Sequence, residues 1–224
     1  LAAAAVLTFG CLTMNAYAAE GWALSNNIWT YLDKNGNRVT NEWKKGADNL
    51  WRYLNNSGEM AVNSWADNDY YVDANGIMVA DKWMQIVSPY SRDSQTYWFY
   101  FGSSGKVTKD TWKKIDGKSY YFDADGIMQT GWTEDGDYYL SSSGAMVTGW
   151  KYLEPKDEDS SLYGTESDDG KYWFYFSASG KKQSPSTSDD GGEYKVTKID
   201  GKYYCFDADG RMRTGWVYLE GDPE

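Results

Sequence analysis

The chain has 224 residues, a formal net charge of −11, no histidine, and an aromatic content of 17% carried mostly by 20 tyrosines and 12 tryptophans. This acidity argues against electrostatic capture of nucleic acid phosphates or an anionic membrane. The missing imidazole removes Ser-His and Cys-His nucleophile pairs, histidine zinc sites and histidine general bases.

From the start of the chain, residues 1–18 (LAAAAVLTFGCLTMNAYA) read as the apolar core of a secretory signal ending at Ala16-Tyr17-Ala18. No initiator Met or basic segment precedes it, so the signal reads as truncated at its start, with a buried N-terminal helix as the alternative. The run is too short to span a membrane. Cys11 lacks the Leu three residues ahead that a lipoprotein signal carries. After cleavage only Cys205 remains, so residues 19–224 are not a disulfide scaffold and stability has to come from stacking.

Internal repetition fills the rest. Residues 114–132 (KIDGKSYYFDADGIMQTGW) and 198–216 (KIDGKYYCFDADGRMRTGW) are identical at 15 of 19 positions, at an offset of 84. Weaker copies give about eight repeats, WTYLDKNG, WRYLNNSG, DYYVDANG, WFYFGSSG, SYYFDADG, DYYLSSSG, WFYFSASG and YYCFDADG, with turn glycines at 36, 58, 76, 105, 126, 144, 180 and 210. Each reads as an aromatic strand, a turn with a glycine at positive φ, and a short strand ending near a Trp, which is a β-hairpin. A lone hairpin is marginal in water and has to stack on neighbours. The expected fold class is therefore all-β, an elongated solenoid of stacked β-hairpin repeats with little helix outside the signal. Insertions at about 85–97, 152–171 and 182–194 interrupt the array. One of them, residues 154–170, carries seven acids without calcium-loop spacing and reads as a solvated acidic loop. The segment 215–224 parallels 149–158, so the last repeat reads as incomplete.

All twelve tryptophans fall in two slots relative to the turn glycine. Seven residues before it, at position −7, stand Trp29, Trp51, Asp69, Trp98, Ser119, Asp137, Trp173 and Tyr203. Six or seven after it, in the linker, stand Trp43, Trp65, Trp83, Trp112, Trp132, Trp150, no aromatic in the seventh repeat, and Trp216, with Trp22 leading into the first. A ring present almost everywhere is expected to pack one hairpin on the next. A ring that gives way to Asp or Ser in three repeats is not required for stacking and is expected to line a partly exposed site.

This pattern, G-W-x(n)-W-Y-Y-x-x-x-x-G-x-M-x-T-G-W over about residues 21–220, resembles the choline-binding, or cell-wall-binding, repeats of Gram-positive surface proteins. Glucan-binding repeats and clostridial toxin C-terminal repeats are related. The resemblance implies aromatic cages between consecutive repeats. Carried onto this chain, it gives Trp22 with Trp29 and Trp43, Trp43 with Trp51 and Trp65, Trp83 with Trp98 and Trp112, and a partial cage of Trp150 with Trp173. Val196 takes the linker slot that follows. Asp69, Ser119 and Asp137 depart from the pattern. Two residues after the glycine, at +2, Met60, Met78, Met128, Met146 and Met212 fit it, whereas Arg38, Val107 and Lys182 do not.

The acids fall in turns whose chemistry already explains them, Cys205 takes the slot of Tyr121, and no segment outside the repeats is long enough for a catalytic domain. The expected function is a non-catalytic, secreted module at the Gram-positive cell wall, without cofactor or metal. Its partner would be teichoic acid choline or a cell-surface glycan. A glycan-binding module for α-glucan or host oligosaccharide and a ligand-free spacer are the alternatives. A catalytic or adhesin domain lost by truncation is compatible with the reading.

Overall fold

The computed structural model describes residues 20–90, 94–156, 169–185 and 194–216. The signal segment, most of the acidic run 154–170 and the end of the chain past residue 216 lie outside the described residues. All regular structure among the described residues is β. It divides into two compact units, one of residues 20–84 with 100–107, the other of 85–99 with residues from 108 onward.

The first unit holds three antiparallel pairs: β1 (Gly21–Ser25) with β2 (Ile28–Leu32), β3 (Glu42–Lys45) with β4 (Trp51–Leu54), and β5 (Ser64–Ala66) with β6 (Tyr70–Val72). Next along the chain, β7 (Lys82–Val87) pairs with β8 (Thr96–Phe101), and the division between the units runs through this hairpin. The second unit continues with β9 (Thr111–Ile115) on β10 (Lys118–Phe122), β11 (Gly131–Trp132) on β12 (Tyr139–Leu140), and β13 (Gly149–Leu153) on β14 (Tyr172–Phe176). A three-stranded sheet, β15 (Tyr194–Ile199), β16 (Lys202–Asp207) and β17 (Met212–Arg213), completes it.

The longest ladders differ from the sequence reading in one respect. Each aromatic strand pairs mainly with the linker strand before it, so that Trp22 faces Tyr31, Trp43 faces Tyr53 and Trp150 faces Tyr175. Across the glycine turn only a short return forms. It amounts to single bridges such as Leu54 to Met60 and Phe122 to Met128, and to the two-residue β17 in the last repeat. The linker strand wins because a cross-strand Trp–Tyr pair buries far more ring surface than the polar return after the glycine.

The turn itself is as the sequence requires. In the fifth repeat the Gly126 N–H donates to the Asp123 carbonyl at 2.9 Å, and the Asp123 N–H donates to the Ile127 carbonyl at 3.1 Å. Gly126 has φ +84°, so a type I turn is followed by a left-handed residue. The Asp123 carboxylate accepts the N–H groups of Asp125 and Ile127 at 3.0 and 2.8 Å, an Asx turn within the turn.

Consecutive repeats within each unit are joined by one recurring backbone bond. The +2 N–H of a repeat donates to the −7 carbonyl of the repeat before it. Met60 donates to Trp29 at 2.7 Å, Met78 to Trp51 at 2.9 Å, and Val107 to Asp69 at 2.8 Å. In the second unit Met128 donates to Trp98, Met146 to Ser119 and Lys182 to Asp137, each at 2.8 Å. Of the residues four before the turn glycines, Leu54, Val72, Phe101, Phe122, Leu140, Phe176 and Phe206 are fully buried and Leu32 is half-buried, and Phe99 and Phe174 add buried rings in the fourth and seventh repeats.

The +2 side chain lies across the turn glycine of the following repeat, which gives the glycine a second duty besides its positive φ. A Cβ on Gly105, where φ is +79°, would stand 2.6 Å from Met78 Sδ. Gly105→Ala is therefore expected to lower stability by about 2–5 kcal/mol in chemical denaturation, combining backbone strain with overpacking. In a Met78→Ala background the added cost should shrink to the strain part, about 1–3 kcal/mol. Equal penalties in the two backgrounds would show that Met78 does not limit the site.

Candidate functional site

The −7 position enters the stacking ladder through its carbonyl oxygen, so its side chain is left over. Where that side chain is tryptophan it stands in solvent: Trp51, Trp98 and Trp173 are 41%, 42% and 44% exposed, and Tyr203 is 70% exposed. Trp29 is half-buried. Large rings this open, repeated at one structural position, are the surface on which a ligand can stack.

Most linker tryptophans are half-buried and pack on other rings, although Trp112 is 37% exposed and Trp216 is open. Trp22 meets Tyr31 edge-on at 5.5 Å, and its indole N–H donates to the Lys45 carbonyl in the next linker strand at 3.0 Å. Trp43 packs on Tyr53 and Tyr70 at 5.1 and 5.5 Å, with its indole N–H donating to Asp67 at 2.8 Å. Trp65 packs on Tyr71 and Phe101, and Trp83 on Tyr100. Trp112 packs on Tyr121 and Tyr138, and Trp132 on Tyr139, Phe174 and Phe176. Trp150 lies against Tyr175, Tyr204 and Phe206. The rings of Trp43, Trp65, Trp112, Trp132 and Trp150 thus reach from their own hairpin to aromatic residues of another repeat. In the eighth repeat both members of the usual Trp–Tyr pair change together, to Val196 opposite Cys205.

Strand register decides which of the expected cage residues share a face. In β1–β2, Trp22 faces Tyr31 and Leu24 faces Trp29, so Trp22 and Trp29 project from the same side. In β3–β4 the register pairs Trp43 with Tyr53 and Lys45 with Trp51, which puts Trp43 and Trp51 on one side in the same way. The Trp150–Trp173 pair is in direct ring contact, with centroids 6.4 Å apart at 82°, and Tyr152 meets the same Trp173 at 5.2 Å. Two perpendicular indoles form a corner whose faces can both turn to one cation. Trp83 belongs to the first unit, and Trp98 and Trp112 to the second.

The exposed rings already attract cations of the chain itself. Lys45 Nζ sits over Trp51 at 5.0 Å, and Lys198 Nζ over Tyr203 at 5.4 Å. Where −7 is aspartate, the first residue after the next glycine is lysine and the two are paired: Asp69 with Lys106 at 3.1 Å and Asp137 with Lys181 at 3.0 Å. The sequence reading of Asp69 and Asp137 only as departures from the pattern did not foresee these partners.

Other carboxylates serve the turns. Asp33, Asp73, Asp123 and Asp207 each accept two backbone N–H groups at their own turn. Burial nonetheless raises the carboxyl pKa of Asp123 and Asp207. Ahead of Trp51, Arg52 grips Asp48 through two nitrogens at 2.9 and 2.7 Å and holds its carboxyl down at about 2. Burial raises the Cys205 thiol pKa, which disfavours the nucleophilic thiolate. No group of three or more metal-ligating side chains converges among the described residues, and no helix there is long and apolar enough to cross a membrane.

Comparison with known proteins bears on these features. Residues 19–65 and 107–149 match the family model described as the choline-binding repeat. Among solved structures, the chain is similar to the choline-binding domain of CbpL from Streptococcus pneumoniae. Identity there is 26% over 89% of this chain and 100% of that one, with a TM-score of 0.51. It is also similar to the modular autolysin LytC from Streptococcus pneumoniae, at 24% identity over 86% of this chain and a TM-score of 0.60. The chain spans 38% of that autolysin, and the likeness to it is one of fold. Among curated protein sequences there is no match.

Two measurements check the geometry. Trp51→Ala removes only a side chain that stacking does not use, and should cost under about 1 kcal/mol. Leu54→Ala, three residues on and fully buried, should cost about 2–5 kcal/mol. A large loss from Trp51→Ala would make that ring structural. The Asp48 carboxyl should titrate by NMR with a midpoint near 2. A depressed folded pKa stabilises above the unfolded value of about 3.9. The pair's contribution is therefore complete at neutral pH and lost progressively as pH falls from about 3.9 through about 2. Arg52→Gln should return the midpoint towards about 3.9.

Proposed function

Because the chain carries choline-binding repeats, we propose that it is a non-catalytic attachment module, exported to the Gram-positive cell wall, which holds the quaternary ammonium of choline-decorated wall polymers on its −7 rings. The carrying observation is that Trp51, Trp98 and Trp173 expose their rings while their main chain is locked into the repeat ladder or a strand pair. The binding surface can therefore vary without unstacking the array. A quaternary ammonium has no N–H to donate, so ring faces are its natural partners, at about 0.5–2 kcal/mol per contact. Two or three rings support a roughly millimolar site. Several sites on one polymer raise retention by about 10²–10⁴-fold. The sites implied within the units are those at Trp22, Trp29 and Trp43, at Trp43, Trp51 and Trp65, at Trp98 and Trp112, and at Trp150 and Trp173. The Trp150–Trp173 site is partial, with Val196 in its third slot, but its two rings are in direct perpendicular contact.

The salt bridges at Asp69 and Asp137 weigh against a glycan reading, since these carboxylates are engaged and offer sugar hydroxyls less. Passage over choline-substituted resin and over dextran resin separates the two. The protein should be retained by the first, elute with free choline, and run through the second. Replacing Trp51, Trp98 and Trp173 together by Ala should abolish retention while the β-fold persists. Retention on dextran alone would establish the glycan reading, and retention on neither resin would sink both.

A further inference from the structure

The sixth repeat breaks the pattern at two positions that meet in space. Its −7 residue is Asp137, and the +2 residue of the following repeat is Lys182 where five other repeats have methionine. Lys182 keeps the methionine's path: its N–H bonds the Asp137 carbonyl, and its stem crosses Gly210, where a Cβ would stand 2.7 Å from Lys182 Cδ. Its ammonium ends over the face of the linker ring Trp132, 5.3 Å from the centroid. One face of this packed linker ring is therefore covered by a cation of the chain, as Trp51 is by Lys45.

Around this ammonium opens a cleft of about 740 Å³ within the second unit, lined among others by Lys156, Lys181, Lys182, Lys195 and Arg211. Five cationic side chains converge there in a protein of net charge −11. Three acids of the cleft partly answer them: Asp137 is paired with Lys181, Asp209 with Arg211, and Asp135 accepts from the Thr133 hydroxyl near Lys156 and Lys181. Lys182 and Lys195 have no acidic partner in an ion pair among the described residues. Burial lowers the Lys182 pKa against the pull of Asp209, Asp137 and Asp207 nearby.

We propose that this cleft is an anion site, which takes a phosphate group between the ammonium groups of Lys182 and Lys195 and excludes the quaternary ammonium that the −7 tryptophans hold. Phosphate fits because its multiple charge and several acceptor oxygens can engage two lysines at once, and lysine serves phosphate as a point charge. The remaining volume admits the group that the phosphate esterifies.

The test is calorimetric titration of the full chain, at low salt, with inorganic phosphate, glycerol phosphate and glycerophosphoglycerol, alongside Lys182→Met. The variant restores the residue that other repeats carry, and it should fold. The native chain should bind at least one of the three phosphates saturably, and Lys182→Met should weaken that binding by about tenfold or more. Its retention on choline resin should be undiminished. Binding of glycerophosphoglycerol identifies a phosphodiester source, and binding of the monoesters alone a free or terminal phosphate. No saturable binding by the native chain, or equal binding by the variant, overturns the proposal. Should Lys182→Met lose its cooperative unfolding transition, Lys195→Gln decides: weakened phosphate binding supports the site, and unchanged binding removes it.

Discussion

Within each compact unit the repeats depend on a single recurring contact, the hydrogen bond from the +2 N–H of one repeat to the −7 carbonyl of the repeat before. Taken singly it is an ordinary backbone bond, worth about 0.5–1.5 kcal/mol net. Its consequence lies in what it spares. Because stacking uses the carbonyl at −7, that position accepts Trp, Asp or Ser with the same ladder geometry. Because the +2 side chain must then lie across the next turn glycine, that slot prefers a long unbranched stem, and methionine or lysine both follow the path. Stability accrues between nearest neighbours, and the −7 side chain lies outside the backbone ladder.

Much of this was legible in the residues. The turn glycines carry positive φ as Asp-x-x-Gly turns demand, and the division of tryptophans into two slots corresponds in part to two environments: Trp51, Trp98 and Trp173 are open and Trp132 is packed on Phe174 and Phe176, but Trp29 is half-buried and Trp112 and Trp216 are exposed. The main pairing partner of each aromatic strand was harder to read, because the linker strand and the glycine return both flank it at short range. Ring burial between Trp43 and Tyr53 settles the choice, and that quantity lies in three dimensions. The fifth residue after the glycine also escaped notice. Gly131 and Gly149 there take φ +77° and +71°, and Asn41, Asn63, Asp81 and Asp110 take the same left-handed conformation in other repeats. Asn and Asp tolerate that region through local hydrogen bonding, so a shared backbone need was hidden behind dissimilar letters. The pairing of Asp69 with Lys106 was hidden likewise, since it joins residues 37 positions apart in different repeats.

The electrostatics fit a module that meets a cation. A net charge of −11 raises the local concentration of positive ligands before any ring is touched, an effect that fades with salt. Ring faces then act at short range, where Lys45 over Trp51 shows a cation held by an indole. The array is not uniform in this respect. Some −7 positions present open indoles, others are closed by ion pairs, and the cleft at Lys182 gathers positive charge in an acidic chain. Copies of one backbone plan thus offer chemically different surfaces.

Those ion pairs have a consequence for assembly. Two segments identical at 15 of 19 positions compete for the same neighbours while the chain is collapsing, and a repeat could dock one place out of sequence at little cost in backbone bonding. Lysine directly after the glycine occurs opposite a −7 aspartate in both Asp69–Lys106 and Asp137–Lys181. A shifted alignment would bring each lysine against a tryptophan or serine and strand the aspartate without its partner. The pairs work as address marks, telling near-identical modules which neighbour is theirs.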